Sequence, residues 1–312
     1  MEKRKLGASD LEVSVIGFGA WAAGKAGWGD ANDRELEGAV RRAHELGVNF
    51  FDTAPVYGFG ESERLIGRAL KPIRDEVVIA TKFGLVWNEQ GLRNDLTAAN
   101  ARREVEESLR RLGIEAIDLY QVHWPDPTGE TPIEETLGTL AELVREGKIK
   151  RIGVSNFSAS QLEEALLVAP VVALQSPYNL LQRQVERSEL PYAAERGVGF
   201  IAYSPLAQGL LTGKFGPGTR LPADDVRSQL NPLFQPEAFA DALDRVDRLK
   251  RIAADYGKTP AQLALAWLLD QPGVTTAIAG AKTAAQAEEN AGGAGWRLQS
   301  IDAERLGEIF AS

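Results

Sequence analysis

The chain has 312 residues, 44% of them hydrophobic, and carries a formal net charge of −9. This length and composition are sufficient for a sizeable core, and the acidity argues against nucleic acid as a partner. The absence of cysteine excludes disulfides and thiolate chemistry, two histidines argue against a histidine-built metal centre, and no apolar stretch reaches the roughly 18 residues of a membrane span. With no apolar signal core after the charged N-terminus, we expect a globular, cytoplasmic protein without a membrane segment or bound metal.

Apolar runs of strand length alternate with longer stretches of helical periodicity along the chain. The first segment is typical of a hairpin, with strands over residues 3–6 and 11–13. Eight further strands are predicted over residues 14–19, 48–52, 77–82, 117–123, 151–155, 172–176, 199–204 and 275–279. Helices are predicted over residues 32–46, 62–70, 97–112, 132–146, 158–167, 186–196, 236–256, 260–269, 284–290 and 302–309. Glycines that favour a left-handed helix end follow four of these helices, namely Gly47, Gly113, Gly147 and Gly197.

The repeated strand–helix order predicts an α/β fold. Because no low-complexity linker divides the chain, eight consecutive units fit one closed (β/α)8 TIM barrel better than two doubly wound sheets. We therefore expect a single domain over residues 1–312, with an N-terminal hairpin at the bottom of the barrel and a C-terminal helix. An irregular stretch over residues 207–235 follows the seventh strand, and loops of this length are often functional.

A glycine motif at the first strand offers an alternative. Gly17, Gly19 and Ala22 match the G-x-G-x-x-A pattern of a Rossmann dinucleotide site. That site requires a helix to begin at its second glycine, whereas residues 24–29 have the composition of a loop. The pattern therefore favours a glycine-rich loop after the first barrel strand.

Four polar residues lie at or just after predicted strand ends. Asp52 ends the second strand, Tyr57 lies in the loop after it, Lys82 ends the third strand and His123 ends the fourth. Each residue alone has an ordinary structural explanation, such as a turn cap or a packed core histidine. In a parallel barrel, however, strand ends meet at one mouth, and a buried lysine and aspartate on adjacent strands must pair to avoid a large desolvation cost.

Such a cluster has a chemical use. A Lys82 ammonium beside the Tyr57 phenol would lower the phenol pKa and make it a better proton donor, while Asp52 keeps the ammonium charged. A neutral His123 would orient a carbonyl oxygen by a hydrogen bond. No side chain supplies a hydride, so reduction of that carbonyl would require a nicotinamide cofactor.

The residues around these positions resemble the aldo-keto reductases over nearly the whole chain. The resemblance rests on residues 51–58 (FDTAPVYG), 109–113 with 117–123, 152–157, and 280–282 with Gln286, Glu289 and Asn290. Residues 87–95 and 124–127 look closest to bacterial members of the general-stress and inositol-cluster type. The resemblance implies an NADP-dependent reductase of small aldehydes and ketones, with a tetrad of Asp52, Tyr57, Lys82 and His123.

The resemblance also implies how NADPH would lie across the mouth of the barrel. Ser155, Asn156 and Gln175 would bind the nicotinamide carboxamide, and Tyr203 would stack on the ring. The other residues expected around the cofactor are Trp21, Asp52, Ser204, Leu206, Gln208, Gly209, Lys214, Arg227, Gly280, Lys282, Gln286, Glu289 and Asn290.

Two positions depart from the family pattern. Lys282 stands where many relatives have arginine, and Ala279 where many have proline. Because lysine offers a point charge and not a bidentate fork, we expect NADPH to be preferred, with weaker use of NADH possible.

Four tryptophans fall in predicted loops on the catalytic side, namely Trp21, Trp28, Trp87 and Trp124. We expect them to form the aromatic walls of a substrate pocket for apolar or aromatic aldehydes. Trp267 is expected in the core, and His44 on the first helix is expected to be structural.

Two rival functions stay open at this point. The chain could be an NADPH-binding regulatory subunit, because relatives of the potassium-channel β type keep the fold and the tetrad. It could instead be a Schiff-base enzyme with Lys82 as nucleophile, although Asp52 favours a charged lysine and the 282–290 motif would then be unexplained. The oligomeric state is left open.

Overall fold

The computed structural model describes residues 1–25, 32–88, 91–222 and 225–311. Its strands are β1 (Lys3–Lys5), β2 (Glu12–Ser14), β3 (Ile16–Gly19), β4 (Phe50–Asp52), β5 (Val78–Phe83), β6 (Leu85–Asn88), β7 (Gly91–Asn94), β8 (Ile117–Val122), β9 (Ile149–Ser155), β10 (Val171–Pro177), β11 (Gly199–Tyr203) and β12 (Val274–Ala279). Eight of them, in the order β3-β4-β5-β8-β9-β10-β11-β12, form a closed barrel in which every neighbouring pair is parallel. The predicted (β/α)8 fold and all eight predicted barrel strands are confirmed.

The α-helices lie between and after these strands. They are α1 (Asp33–Glu45), α2 (Glu61–Leu70), α3 (Ala98–Leu112), α4 (Ile133–Arg145), α5 (Ala159–Val168), α6 (Glu189–Glu195), α7 (Val226–Leu230), α8 (Pro236–Asp255), α9 (Pro260–Leu269), α10 (Ala284–Ala291) and α11 (Ser300–Ile309). Short 3-10 helices span Trp21–Gly24, Lys71–Glu76, Gln184–Arg187, Ala207–Thr212 and Pro232–Phe234. None of the helices in the described ranges combines the length and the apolar character that crossing a bilayer requires.

Local sequence signals explain several of the helix ends. The side chains of Ser158 and Thr259 each close a capping box with the glutamine three residues later. All four glycines expected at helix ends have positive φ, between 67° and 90°. The expected helix over residues 186–196 is instead a 3-10 turn followed by α6, and α4 begins after Pro132 without a side-chain cap.

The inside of the barrel has an apolar layer and, above it, a polar layer. Phe50, Ala80, Leu119, Ala173 and Ile201 form one buried cluster. Because side chains alternate along a strand, the residues two positions later face the same interior. Those residues lie closer to the mouth of the barrel and form the polar layer. They are Asp52, Lys82, Gln121, Gln175 and Tyr203.

The N-terminal hairpin closes the opposite end. β1 and β2 pair antiparallel, and the buried side chains of Leu6 and Val13 join the apolar layer of the barrel. The predicted hairpin at the bottom is therefore confirmed. The antiparallel hairpin of β6 and β7, on the loop after β5, was not predicted from the sequence.

Candidate active site

The polar layer is centred on a buried ion pair. Lys82 Nζ donates to Asp52 Oδ1 at 2.5 Å, and both side chains are only 1–2% exposed. The same ammonium donates to the backbone oxygen of Thr53 at 3.0 Å. The adjacent strands β4 and β5 bring the two charges together, as the sequence predicted, and their pairing offsets the cost of burying each.

Tyr57 lies above this pair. Lys82 Nζ is 3.4 Å from the Tyr57 hydroxyl and donates to it. The His123 ring meets the Tyr57 ring edge-on with centroids 5.9 Å apart, and the Trp21 indole stacks on the Tyr57 ring with centroids 6.0 Å apart. The structure thus brings all four predicted catalytic residues into one cluster.

Two pKa shifts in this cluster follow the sequence argument. Burial alone would lower the Lys82 pKa, but the Asp52 carboxylate and the Tyr57 phenol together raise it, so the ammonium stays charged. Burial, reinforced by the Lys82 charge, holds the His123 pKa well below its ordinary value. His123 is therefore neutral at pH 7 and able to donate a hydrogen bond without carrying charge.

The Tyr57 pKa moves in the direction opposite to the sequence-based expectation. Burial raises the pKa of the phenol, and the Asp52 charge adds to the rise; the nearby Lys82 ammonium lowers the pKa but does not outweigh them. The expectation of a lowered pKa was wrong because it counted the charge of Lys82 without the desolvation that burial imposes. Tyr57 therefore holds its proton at neutral pH.

Gln121 belongs to the same layer, although the sequence argument did not single it out. Its Nε2 donates to Asp52 Oδ2 at 3.0 Å, and Gln175 Nε2 donates to the same oxygen at 2.9 Å and to Gln121 Oε1 at 3.1 Å. Gln121 stands two residues before His123 on β8, so strand periodicity alone could have placed it on the inner face.

The side of the mouth formed by β9 to β11 is held by Asn156. The Asn156 side chain donates to His123 O and to Ser155 Oγ, each at 3.0 Å, and accepts from the Tyr203 hydroxyl at 2.9 Å. Asn156 has φ = 62°, a left-handed conformation that asparagine tolerates better than most residues. Ser155, Asn156, Gln175 and Tyr203, all predicted near the nicotinamide, thus lie together.

The segment after β11 turns through several left-handed residues. Ser204, Ala207, Gln208 and Gly209 have φ between 46° and 99°. Asn179 fixes the start of this segment by donating to Ser204 O at 2.9 Å, and Asn231 donates to Gln208 Oε1 at 3.0 Å. The N–H groups of Ala207 and Gly209 donate to Ser204 O and Leu206 O within the segment, and left-handed turns of this kind are a recurrent way to bind phosphate.

Three basic residues converge beside this segment. Burial and the nearby positive charges of Arg227 and Lys282 lower the pKa of Lys214, so the three cations are close enough to repel one another. Arg227 is anchored by Asp225, and its guanidinium lies 5.7 Å from the Phe215 ring centroid. Clustered cations of this kind fit a bound anion such as a phosphate, and the resemblance implies that all three residues lie around the cofactor.

The remaining predicted cofactor residues surround α10. Gln286 Oε1 accepts from the backbone N–H of Lys282 at 2.7 Å, and Asn290 Nδ2 donates to Gly280 O at 3.1 Å. Thr283 caps the N-terminus of α10, and Lys282 directly precedes this cap. The positive end of the helix dipole therefore lies beside the loop that carries Lys282. The half-buried Glu289 lies on the same helix, and Leu206 lies within the curled segment, directly before the 3-10 helix Ala207–Thr212.

Three of the four tryptophans predicted to line the substrate pocket lie among the described residues. Trp21 lies on Tyr57, Trp87 lies on β6 with its ring 5.4 Å from that of Phe59, and Trp124 follows His123 with 44% of its surface exposed. Trp28 lies outside the described residues. Trp267 is buried, and His44 contacts Glu76 at 3.3 Å on the outer helices, as expected of structural residues.

Comparison with known proteins decides the family. A profile of the aldo/keto reductase family matches residues 15–310. The chain belongs to the aldo/keto reductase family. It is 42% identical to the aldo-keto reductase YhdN of Bacillus subtilis, with 99% of this chain and 94% of the relative covered. It is 36% identical to the NADH-specific methylglyoxal reductase of Escherichia coli, with 99% and 98% covered.

Solved structures agree. The glycerol dehydrogenase of Gluconobacter oxydans superposes with a TM-score of 0.91 at 38% identity, covering 99% of this chain and 95% of that one. An aldo-keto reductase of Bacillus halodurans in its holo form gives 0.82 at 29% identity, covering 99% and 96%. This aldo/keto reductase is accordingly an oxidoreductase of a family that uses nicotinamide cofactors.

Proposed function

We propose that this aldo/keto reductase reduces small aldehydes and ketones with NADPH, and that Tyr57 gives the proton. The observation that carries the proposal is the continuous contact from Asp52 through Lys82 to the Tyr57 hydroxyl, beside a neutral His123. It joins a protonated donor to a fixed positive charge in a water-poor site, which suits the stabilisation of a developing alkoxide.

Each residue has a separate task in this proposal. His123 donates a hydrogen bond to the substrate carbonyl and orients it. Tyr57, which burial keeps protonated, donates its proton to the oxygen as negative charge develops there. The Lys82 ammonium then stabilises the phenolate that is left, and Asp52 holds Lys82 in position. NADPH would supply the hydride that the carbonyl carbon accepts.

The residues at the mouth fit that cofactor. Ser155, Asn156, Gln175 and Tyr203 offer polar groups at the mouth, and the curled segment from Ser204 to Gly209 would hold the pyrophosphate. Lys214, Arg227 and Lys282 would hold the phosphates, with Lys282 nearest α10 and therefore suited to the 2′-phosphate that distinguishes NADPH. One relative is named as an NADH-specific reductase, so comparison of the KM values for NADPH and NADH tests this assignment.

The rival functions are less well supported. A Schiff-base mechanism requires a neutral Lys82 amine, whereas Asp52 and Tyr57 raise the pKa of Lys82 and keep it charged. A regulatory subunit would have the same tetrad and the same cofactor site, and would differ from the reductase only in the absence of turnover. A cytoplasmic location belongs to the proposal, because the reaction draws on the reduced nicotinamide pool found there.

The test follows NADPH oxidation with a panel of aliphatic and aromatic aldehydes for the wild type, Tyr57→Phe and the control Tyr192→Phe on α6. Removal of the general acid should lower kcat by about 10²- to 10⁴-fold in Tyr57→Phe, while the control keeps wild-type turnover. Equal turnover in the two variants would remove Tyr57 as the donor. Tight NADPH binding without wild-type turnover would favour the regulatory role, and borohydride trapping at Lys82 would favour the Schiff base.

A further inference from the structure

Asp52 uses its two carboxylate oxygens differently. Oδ1 accepts from the Lys82 ammonium, while Oδ2 accepts from the side-chain amides of Gln121 and Gln175 at 3.0 and 2.9 Å. The two glutamines are 0% and 1% exposed. The charge of Asp52 is therefore shared between one cation and two neutral donors inside the barrel.

Gln121 forms hydrogen bonds with both of the other side chains in this arrangement, Asp52 and Gln175. It donates to Asp52 and at the same time accepts from Gln175, so the three side chains form a closed triangle. β8 lies next to β5, and Gln121 is directly paired in register with Lys82. A side chain of another length or without both a donor and an acceptor would open the triangle.

We propose that Gln121 is a positioning residue that partly neutralises Asp52 and thereby sets the acidity of Tyr57. This inference rests on the proposed role of Tyr57 as proton donor and adds a residue that acts on it through Asp52. The positive end of an amide N–H dipole against Oδ2 offsets part of the negative charge that reaches the phenol.

The direction of the effect follows from the groups that face Tyr57. These are Lys82 from β5, Asp52 from β4, His123 after β8, Trp21 after β3 and Tyr203 from β11. Asp52 raises the Tyr57 pKa, whereas Lys82 lowers it. Removal of the Gln121 amide leaves more of the Asp52 charge uncompensated and Lys82 less firmly held, and both changes raise the Tyr57 pKa further.

Two substitutions and one control test the proposal. Gln121→Met keeps the length of the side chain and removes both hydrogen bonds. Gln121→Glu keeps the shape and, when the introduced carboxyl is protonated, both bonds; when it is ionised, it adds a negative charge. Gln271→Leu removes a side chain that donates to Trp267 O, before β12 at the opposite end of the barrel, and serves as the control.

The expected result is an ordered shift. The midpoint of the pH titration of the Tyr57 phenol should rise from wild type to Gln121→Met and further to Gln121→Glu. It is followed by NMR of ring-labelled tyrosine, with the Tyr57 signal assigned by its loss in Tyr57→Phe. The kcat of Gln121→Met should fall about ten-fold, the effect of one lost hydrogen bond to a charged group. Gln121→Glu should lose activity as pH rises through the pKa of the introduced carboxyl, which a purely structural role would not produce.

Contrary outcomes are equally definite. A wild-type midpoint and kcat in Gln121→Met would overturn the proposal, and so would a fall in kcat and melting temperature with no change of midpoint. If the wild type turned over no carbonyl compound, the proposed function would fail, yet the order of the Tyr57 midpoints would still decide whether Gln121 acts through Asp52.

Discussion

The backbone of Gly58 packs directly on the backbone of Gly24. A Cβ at Gly24 would lie 2.5 Å from Tyr57 C and from Gly58 N, so no other residue fits without a shift of the chain. The contact presses the loop after β3 against the loop that carries Tyr57. Ser62 strengthens it, because its Oγ donates to Ala20 O and its N–H to Tyr57 O. The position of the Tyr57 hydroxyl thus depends on a neighbouring loop.

Gly24→Ala is therefore expected to displace the Tyr57 loop. We expect a destabilisation of about 1–3 kcal/mol, as for other overpacked sites, together with a fall in kcat. Gly38→Ala is the matched control, since Gly38 lies on α1 with open space at its Cβ and should gain up to about 1 kcal/mol. Thermal unfolding and NADPH oxidation measure both effects; identical behaviour of the two variants would contradict the role of this contact.

The ion pair predicts a recovery of stability in a double variant. Lys82→Met leaves the Asp52 carboxylate buried without its cation and should destabilise the fold by about 3–5 kcal/mol. Addition of Asp52→Asn removes that uncompensated charge, so the double variant should be more stable than Lys82→Met, although equally inactive. Urea unfolding at pH 7 gives the comparison. A double variant less stable than Lys82→Met would show that the pair is not held by charge.

The buried carboxyl of Glu104 should make the free energy of unfolding depend on pH. Burial raises the pKa of Glu104 to about 7, although Asn100 and Gly84 donate to its carboxylate. The folded state then binds more protons than the unfolded state, with its pKa near 4.5, so stability is lost as pH rises from about 4.5 to about 7. The gap between the two pKa values corresponds to about 3 kcal/mol.

Glu104→Gln removes this titration. The free energy of unfolding of the variant should therefore improve relative to the wild type as pH rises through that window, and the difference should be constant above it. The exposed Glu164→Gln on α5 is the control and should follow the wild type at every pH. Denaturant unfolding at several pH values measures the curves, and parallel curves for Glu104→Gln and wild type would refute the raised pKa.

Substitution of Lys282 should change the preference between NADPH and NADH. If this ammonium faces the 2′-phosphate, Lys282→Met should raise the KM for NADPH about ten-fold and leave the KM for NADH almost unchanged. Lys282→Arg should lower the KM for NADPH, because a guanidinium binds phosphate through two parallel bonds. Lys71→Met, beyond the C-terminal end of α2, is the control. Equal effects on the two cofactors would place Lys282 away from the phosphate.

Much of the architecture was accessible from the sequence. Each barrel strand is a short apolar run, and glycine marks the end of the helix before it at Gly47, Gly113, Gly147 and Gly197. The hairpin of β6 and β7 was not predicted, because two strands of four residues each carry too little periodicity to be recognised. The convergence of Asp52, Tyr57, Lys82 and His123 also followed from strand order, since parallel strands share one carboxyl edge.

What the sequence determined by itself was therefore the order of the strands, the closed barrel and the set of groups at its mouth, because these depend on local periodicity and chain direction. Only the tertiary structure decided the sign of the Tyr57 pKa shift, the sharing of Asp52 between Lys82 and two glutamines, and the packing of Gly24 on Gly58. These depend on distances and solvent exclusion among residues far apart in the chain. Neither quantity is contained in the spacing of residues along it.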